Sequence, residues 1–396
     1  MNYLPLLTSS TVELEPADVN CVSFNQNSTV INVGHKDGFM FYKTANTIDF
    51  ADVDHDVEDM SEHGLGDCII VERLYQSSFM AFVSRKDPRM LNVYNHSQNF
   101  MIRTQKFRTS ILAVRMNRER IVVLLEDTIF IYSLQNDRLL HKIHETPLNR
   151  NAVLDLSNNI KNAVFAFPGS NEIGSIIFFD SIHLNATGTF KAHDSPLQCI
   201  KFNSEGDMIA TASTKGTVIR VYEVSTGNRL YEFRRGVSRC VTIYSLCFSA
   251  DSKYLSASSN TETVHIFKLK DEEDYEEEEK ENNWVSAIRT IAAYMPTPVL
   301  QVGELIAEER AFATARVPGG LRKNTVALIT HKRQNYVMAA TSDGFVYTYR
   351  LDRDGGELDL IKQHRIGPNA EELARIRLRS RDSPEPKSNE WFAGWW

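Results

Sequence analysis

Phe233-Arg234-Arg235-Gly236 is the stretch of this chain best suited to chemistry, and the chemistry is recognition of phosphate. A guanidinium group is a planar fork that meets phosphate oxygens with paired, charge-assisted hydrogen bonds. The stretch reads as a β-strand or its exit, where successive side chains point to opposite faces. The two guanidiniums should therefore diverge. One ligand cannot easily use both, but two ligands, one on each side, could. An arginine pair standing alone is most often a solvated strand edge, so its meaning depends on the elements that carry it.

Those elements repeat. An apolar-x-apolar signature, usually closed by Asn, Ser or Thr, occurs as Val22-Ser23-Phe24-Asn25, Val114-Arg115-Met116-Asn117, Leu154-Asp155-Leu156-Ser157, Ile200-Lys201-Phe202-Asn203, Leu246-Cys247-Phe248-Ser249 and Ala327-Leu328-Ile329-Thr330, with a weaker copy around Leu74. Successive copies are 40 to 50 residues apart until the last gap, which is 81. Each copy leads into further alternating runs, such as MIATAS then TVIRVYEV, punctuated by turn residues such as GHKDG, STKG and TSDG. Short β-runs at this spacing read as propeller blades of four strands. The expectation is an all-β, WD40-like, seven-bladed β-propeller over residues 1–366. A sandwich pair or a shorter propeller does not explain one period repeated seven times. No copy carries the usual GH…WD pair of dipeptides.

Composition narrows the functional classes. The five cysteines are scattered with no CxxC spacing, which reads as reduced core thiols and neither a disulfide framework nor a metal site. No secretory leader or bilayer-spanning apolar run is expected. The net charge of −7 is concentrated in residues 271–281, whose nine acids and one lysine amount to −8, so the rest of the chain is close to neutral. An anionic ligand would be met by a local patch and not by a global field. No Walker A loop, nucleophile motif or cofactor signature stands out, so an enzyme is the least favoured reading and no cofactor or nucleic-acid partner is expected.

The segment from His193 to Phe267 contains AHDSPL, ATASTKGTVIRVYEVSTG, YEFRRGVSR and SASSNTETVHIFKL, and elsewhere lie ILAVRMNRERIVVLLED, AFPGSNEIG, RAFATARVP and KQHR. In these motifs the chain resembles the PROPPIN family of phosphoinositide-binding propellers, and within it the autophagy branch of the WIPI proteins. The resemblance implies binding of phosphatidylinositol 3-phosphate and 3,5-bisphosphate in two pockets, in blades 5 and 6. Carried onto this chain, the first pocket would use His193, Thr211, Ser213, Gly216, Thr217, Arg220 and Arg234. The second would use Arg235, Ser259, Thr263 and His265, with Gly236 letting the chain turn sharply after the pair. Serine and threonine hydroxyls suit phosphate oxygens, and protonation of the two histidines would strengthen binding as pH falls from about 7.5 to 6. Seen without the family, Thr211, Ser213 and Thr263 are ordinary strand residues, and the histidines more often structural than ligands.

Three further surfaces stand out. The long gap implies an insertion in blade 6, residues 270–309, about 36 residues beyond one period. After its acidic run, Trp284, Ile288 and Ile291 fall on one face of a helical pattern that Pro296 and Pro298 end. The family resemblance makes this a membrane-inserting loop; a helix packed on the propeller or a linker is the alternative. Arg118 and Arg138 match positions at which the autophagy branch engages an acidic partner segment of the lipid-conjugation machinery, and ordinary surface arginines are the alternative. Residues 367–396 read as a flexible tail ending in three of the four tryptophans, and residues 1–15 offer at most a strand to close the last blade. The leading functional reading is a non-catalytic effector that binds 3-phosphorylated inositides on preautophagosomal, autophagosomal and endosomal membranes and recruits lipid-conjugation and lipid-transfer proteins. An endolysosomal membrane-remodelling factor and a scaffold with vestigial lipid sites are the competing ones.

Overall fold

A computed structural model of the chain describes residues 19–49, 57–61, 64–236, 240–269, 311–318, 322–368 and 370. They form seven sheets arranged in a ring, antiparallel but for one parallel pair in blade 6, with blades at residues 19–59, 68–106, 113–143, 155–193, 197–234, 243–316 and 324–365. The apolar-x-apolar signatures lie on the first strand of each blade, and the copy at Leu74 directly follows one. The Asn or Ser that closes the signature has a physical task. Asn25, Asn117, Asn203 and Ser249 are buried, and the side-chain oxygen of each accepts a backbone N–H from the hairpin turn that follows. A buried turn amide left without an acceptor would be costly, so the residue that ends the first strand also satisfies the turn to the second.

Both faces of each blade are covered, because each sheet packs between two neighbours. The core is divided accordingly into seven apolar clusters, one at each junction between adjacent blades. Middle strands are therefore buried on both sides, as in Val30–His35, which is buried throughout. The ring closes between blades 7 and 1. A five-residue helix, Thr44–Ile48, follows the third strand of blade 1 and meets the last strand of blade 7, where Nε2 of His364 lies 3.0 Å from the Thr47 carbonyl oxygen. That last strand, Leu360–Arg365, comes from the C-terminal side, so among the described residues blade 7 completes its four strands without the N-terminal segment.

Blade 6 departs from the four-strand plan. Its fourth strand, Ala313–Arg316, pairs in parallel with Gly356–Leu358, which blade 7 lends from the connection between its last two strands. The third strand of blade 6 ends at Lys268, so the long insertion joins its third strand to its fourth. Trp284, Ile288 and Ile291, the acidic run and nearly all of the tail lie outside the described residues.

Candidate functional site

The arginine pair lies where the fourth strand of blade 5, Arg229–Arg234, hands over to blade 6. Phe233 fixes the rotation of that strand. Its ring is 1% exposed and stacks on Phe267 of blade 6, with centroids 4.6 Å apart. With Phe233 facing blade 6, alternation aims Arg235 toward blade 6 and Arg234 toward blade 4. The contacts agree. Nη2 of Arg235 donates to Oγ1 of Thr261, in the turn between the second and third strands of blade 6. Arg234 lies two residues beyond Glu232, which pairs across the sheet with Arg220, which in turn pairs with Thr211.

The blade 4 side of the pair forms a continuous polar group. Nε2 of His193, at the end of blade 4, is 2.9 Å from Oγ1 of Thr211. The Thr211 hydroxyl donates to the Arg220 carbonyl oxygen at 3.3 Å, so Nε2 of His193 acts as the donor to Thr211. Arg220 donates from Nε to Oε2 of Glu232 at 2.8 Å and from Nη1 to the Ala192 carbonyl oxygen at 2.6 Å. Ser213, two residues beyond Thr211 on the same strand, is buried beside the turn that carries Gly216 and Thr217. This turn is stitched to the exit of the arginine pair. The N–H of Arg235 donates to Thr217 at 3.0 Å, and the N–H of Val241 donates to Lys215 at 3.2 Å. Gly216 has φ +62°, and a Cβ on it would come within 1.9 Å of the Val241 carbonyl oxygen. Only glycine fits there. The backbone of Gly236 is not left-handed and a Cβ on it would meet open space, and residues 237–239, where the expected sharp turn would continue, lie outside the described residues.

The blade 6 side is a second, smaller group. Ser259 Oγ lies 3.0 Å from Thr261 Oγ1, the hydroxyl that Arg235 contacts. The register that pairs Ala257 with His265 places Ser259 opposite Thr263 when extended, so Ser259, Thr263 and His265 share the face toward blade 5. The residues expected from sequence thus separate into two groups, one on each side of Arg234-Arg235. Sequence reading missed Glu232 and Thr261 as members, and Phe233 as the residue that aims the pair. The alternation that separates the arginines already placed Glu232 on the Arg234 face, and Thr261 sits in the SSNTET turn two residues before Thr263.

The histidines correct the pH expectation. Burial, reinforced by the Arg220 charge, pushes His193 down to about 4, and burial with the Arg235 charge does the same to His265. Both rings are neutral from pH 6 to 7.5 before a ligand arrives, so neither presents a positive charge to an approaching phosphate in that range. It acts on stability instead. Between pH 6.5 and about 4 the unfolded chain binds protons that the folded chain refuses, so stability falls as pH falls through this window. Thermal melting from pH 7 to 4.5 should show the loss, and a His193→Gln/His265→Gln variant should lose less over the same interval.

Arg118 and Arg138 lie at the other end of the strands, in blade 3. Arg118 is in the turn after Ala113–Met116, and Arg138 precedes Leu139–Ile143. The two turns are joined, as the N–H of Leu134 donates to the Glu119 carbonyl oxygen at 2.9 Å. The Arg118 guanidinium reaches over the Tyr75 ring of blade 2, 5.0 Å from its centroid, and so spans the junction of blades 2 and 3.

Comparison with known proteins follows the same outline. The PROPPIN family model matches residues 18–367. Autophagy-related protein 18 of Caenorhabditis elegans is 55% identical over 370 residues, which covers 92% of this chain and 90% of that protein. WD repeat domain phosphoinositide-interacting protein 2 of Xenopus laevis is 40% identical over 375 residues, 93% of this chain and 84% of that one. Among solved structures, Kluyveromyces lactis Hsv2 with its complete loop 6CD matches with a TM-score of 0.68 at 19% identity, covering 88% of this chain and 99% of that one. The complex of KlAtg21 with the coiled-coil of AgAtg16 gives 0.67 at 22% identity with the same coverage. These two show a shared fold.

Proposed function

The chain belongs to the PROPPIN family, and from that premise we propose that it holds two phosphoinositide headgroups, one on each side of Arg234-Arg235. Its relatives are named autophagy-related and phosphoinositide-interacting, and the chain shares with them a non-catalytic, membrane-peripheral role in autophagy. The observation that supports two sites is the divergence of the arginines. Arg235 reaches a cluster of hydroxyls in blade 6, while Arg234 shares a face with Arg220, Thr211 and His193. Each group combines guanidinium donors with hydroxyls and a neutral imidazole, which suits a phosphorylated ring more than a peptide carboxylate. Phosphatidylinositol 3-phosphate and 3,5-bisphosphate are the proposed ligands, on preautophagosomal, autophagosomal and endosomal membranes. Flotation with liposomes carrying each phosphoinositide in turn tests this reading. Co-flotation confined to the 3-phosphorylated lipids supports it, and equal recovery with unphosphorylated phosphatidylinositol contradicts it.

Recruitment of lipid-conjugation and lipid-transfer proteins is the second half of the proposal. Arg118 and Arg138 are exposed on joined turns, at the opposite end of the strands from the arginine pair and in a different blade. An acidic helical segment would suit this pair of cations. Arg118→Glu is expected to reduce capture of such a segment about tenfold or more, by reversing a charge opposite a carboxylate. Recovery on phosphatidylinositol 3-phosphate liposomes should stay at the wild-type level. A parallel fall in both would mean that the two surfaces are not separate.

A further inference from the structure

We propose that Glu232 is a positioning residue for the site between blades 4 and 5, holding Arg220 in the orientation in which a phosphate group meets it. This inference rests on the reading of that site given above. A carboxylate inside a phosphate site looks counterproductive, since like charges repel. The contacts show what it does there. Glu232 lies directly across the sheet from Arg220 and accepts its Nε–H at 2.8 Å. The same carboxylate oxygen accepts from Nη1 of Arg229 at 2.5 Å. Arg220 is held at a second edge, where Nη1 donates to the Ala192 carbonyl oxygen, which also accepts from the Tyr222 hydroxyl at 2.8 Å.

Ala192 is buried and directly precedes His193, so the second tether comes from blade 4. The guanidinium is therefore fixed by two blades at once, and two fixed edges set the plane of the fork. Burial disfavours the Glu232 charge, but the hydrogen bond from Arg220 and the charges of Arg220, Arg229 and Arg234 outweigh it and hold the carboxyl below its ordinary range. One carboxylate among three arginines leaves the group cationic. The geometry thus combines a net attraction for phosphate with an arginine that does not need to be ordered when the ligand arrives. Ordering one long side chain on binding costs a factor of roughly two to ten in affinity.

The test isolates the first site in an Arg235→Thr parent and titrates it calorimetrically with the soluble headgroup of phosphatidylinositol 3-phosphate. Glu232→Ala in that parent is expected to weaken binding roughly three- to tenfold. Glu232→Gln keeps an acceptor for Nε of Arg220 and should recover most of the loss. Glu232→Asp keeps the charge but withdraws it from Arg220, so it should weaken binding as Ala does, which provides a second variant if Glu232→Ala does not fold. Tighter binding by both Ala and Gln variants would make Glu232 a repulsive group and overturn the proposal. Unchanged affinity with only a lower melting temperature would overturn it as well, by reducing Glu232 to a structural part. A parent that binds no headgroup would remove the first site itself, and the parent titration tells that failure from the other two.

Discussion

Replacing Arg234 and Arg235 together with threonine is expected to abolish co-flotation with phosphatidylinositol 3-phosphate liposomes while leaving the propeller folded. Arg234 is exposed and Arg235 half-buried, and the apolar anchor of the strand is Phe233, which the change does not touch. Each lost set of charge-assisted contacts costs about 1.5–3 kcal/mol, or roughly a factor of ten or more at each site. Single replacements should each leave one working site and lose mainly the gain from binding two lipids on one surface. Wild-type recovery of the double variant, with unchanged circular dichroism, would remove the pair from the ligand set.

The second large effect is on stability. Phe233→Ala should lower the free energy of unfolding by about 3–5 kcal/mol, the range for a fully buried phenylalanine. Its ring lies in the cluster between blades 5 and 6 with Ile219, Val221, Leu255 and Phe267, and stacks on Tyr231 as well as Phe267. Phe233→Leu retains most of the volume and should cost under about 1.5 kcal/mol. Denaturant midpoints of the two variants measure the difference. Two near-equal midpoints would mean that the ring is not the anchor described here.

How much of this was legible in the sequence follows from the range of each interaction. The seven blades were legible because the apolar-x-apolar signature is local and recurs once per blade, and in blades 1, 3, 5 and 6 the Asn or Ser that closes it serves the same hairpin. The divergence of Arg234 and Arg235 was legible because strand alternation is local too. The strand that blade 7 lends to blade 6 was not. Gly356–Leu358 is three residues long, pairs in parallel, and meets Ala313–Arg316 across the whole length of blade 7. The helix Thr44–Ile48 that helps close the ring is too short to show a period, and no side-chain hydrogen bond caps its start. The lowered pKa values of His193 and His265 were not legible because an imidazole carries no sign of its burial in the sequence. Glu232 was passed over because an acid beside arginines looks like surface charge until its register with Arg220 is known.

The central claim is that one strand end serves two separate headgroups, and the stoichiometry of headgroup binding tests it most directly. Calorimetric titration of the folded protein with the soluble headgroup of phosphatidylinositol 3-phosphate should saturate at two molecules per chain in the wild type. It should saturate at one in Arg234→Thr and one in Arg235→Thr, and show no binding in the double variant. A wild type that saturates at one, or a single replacement that removes both sites, would contradict the account.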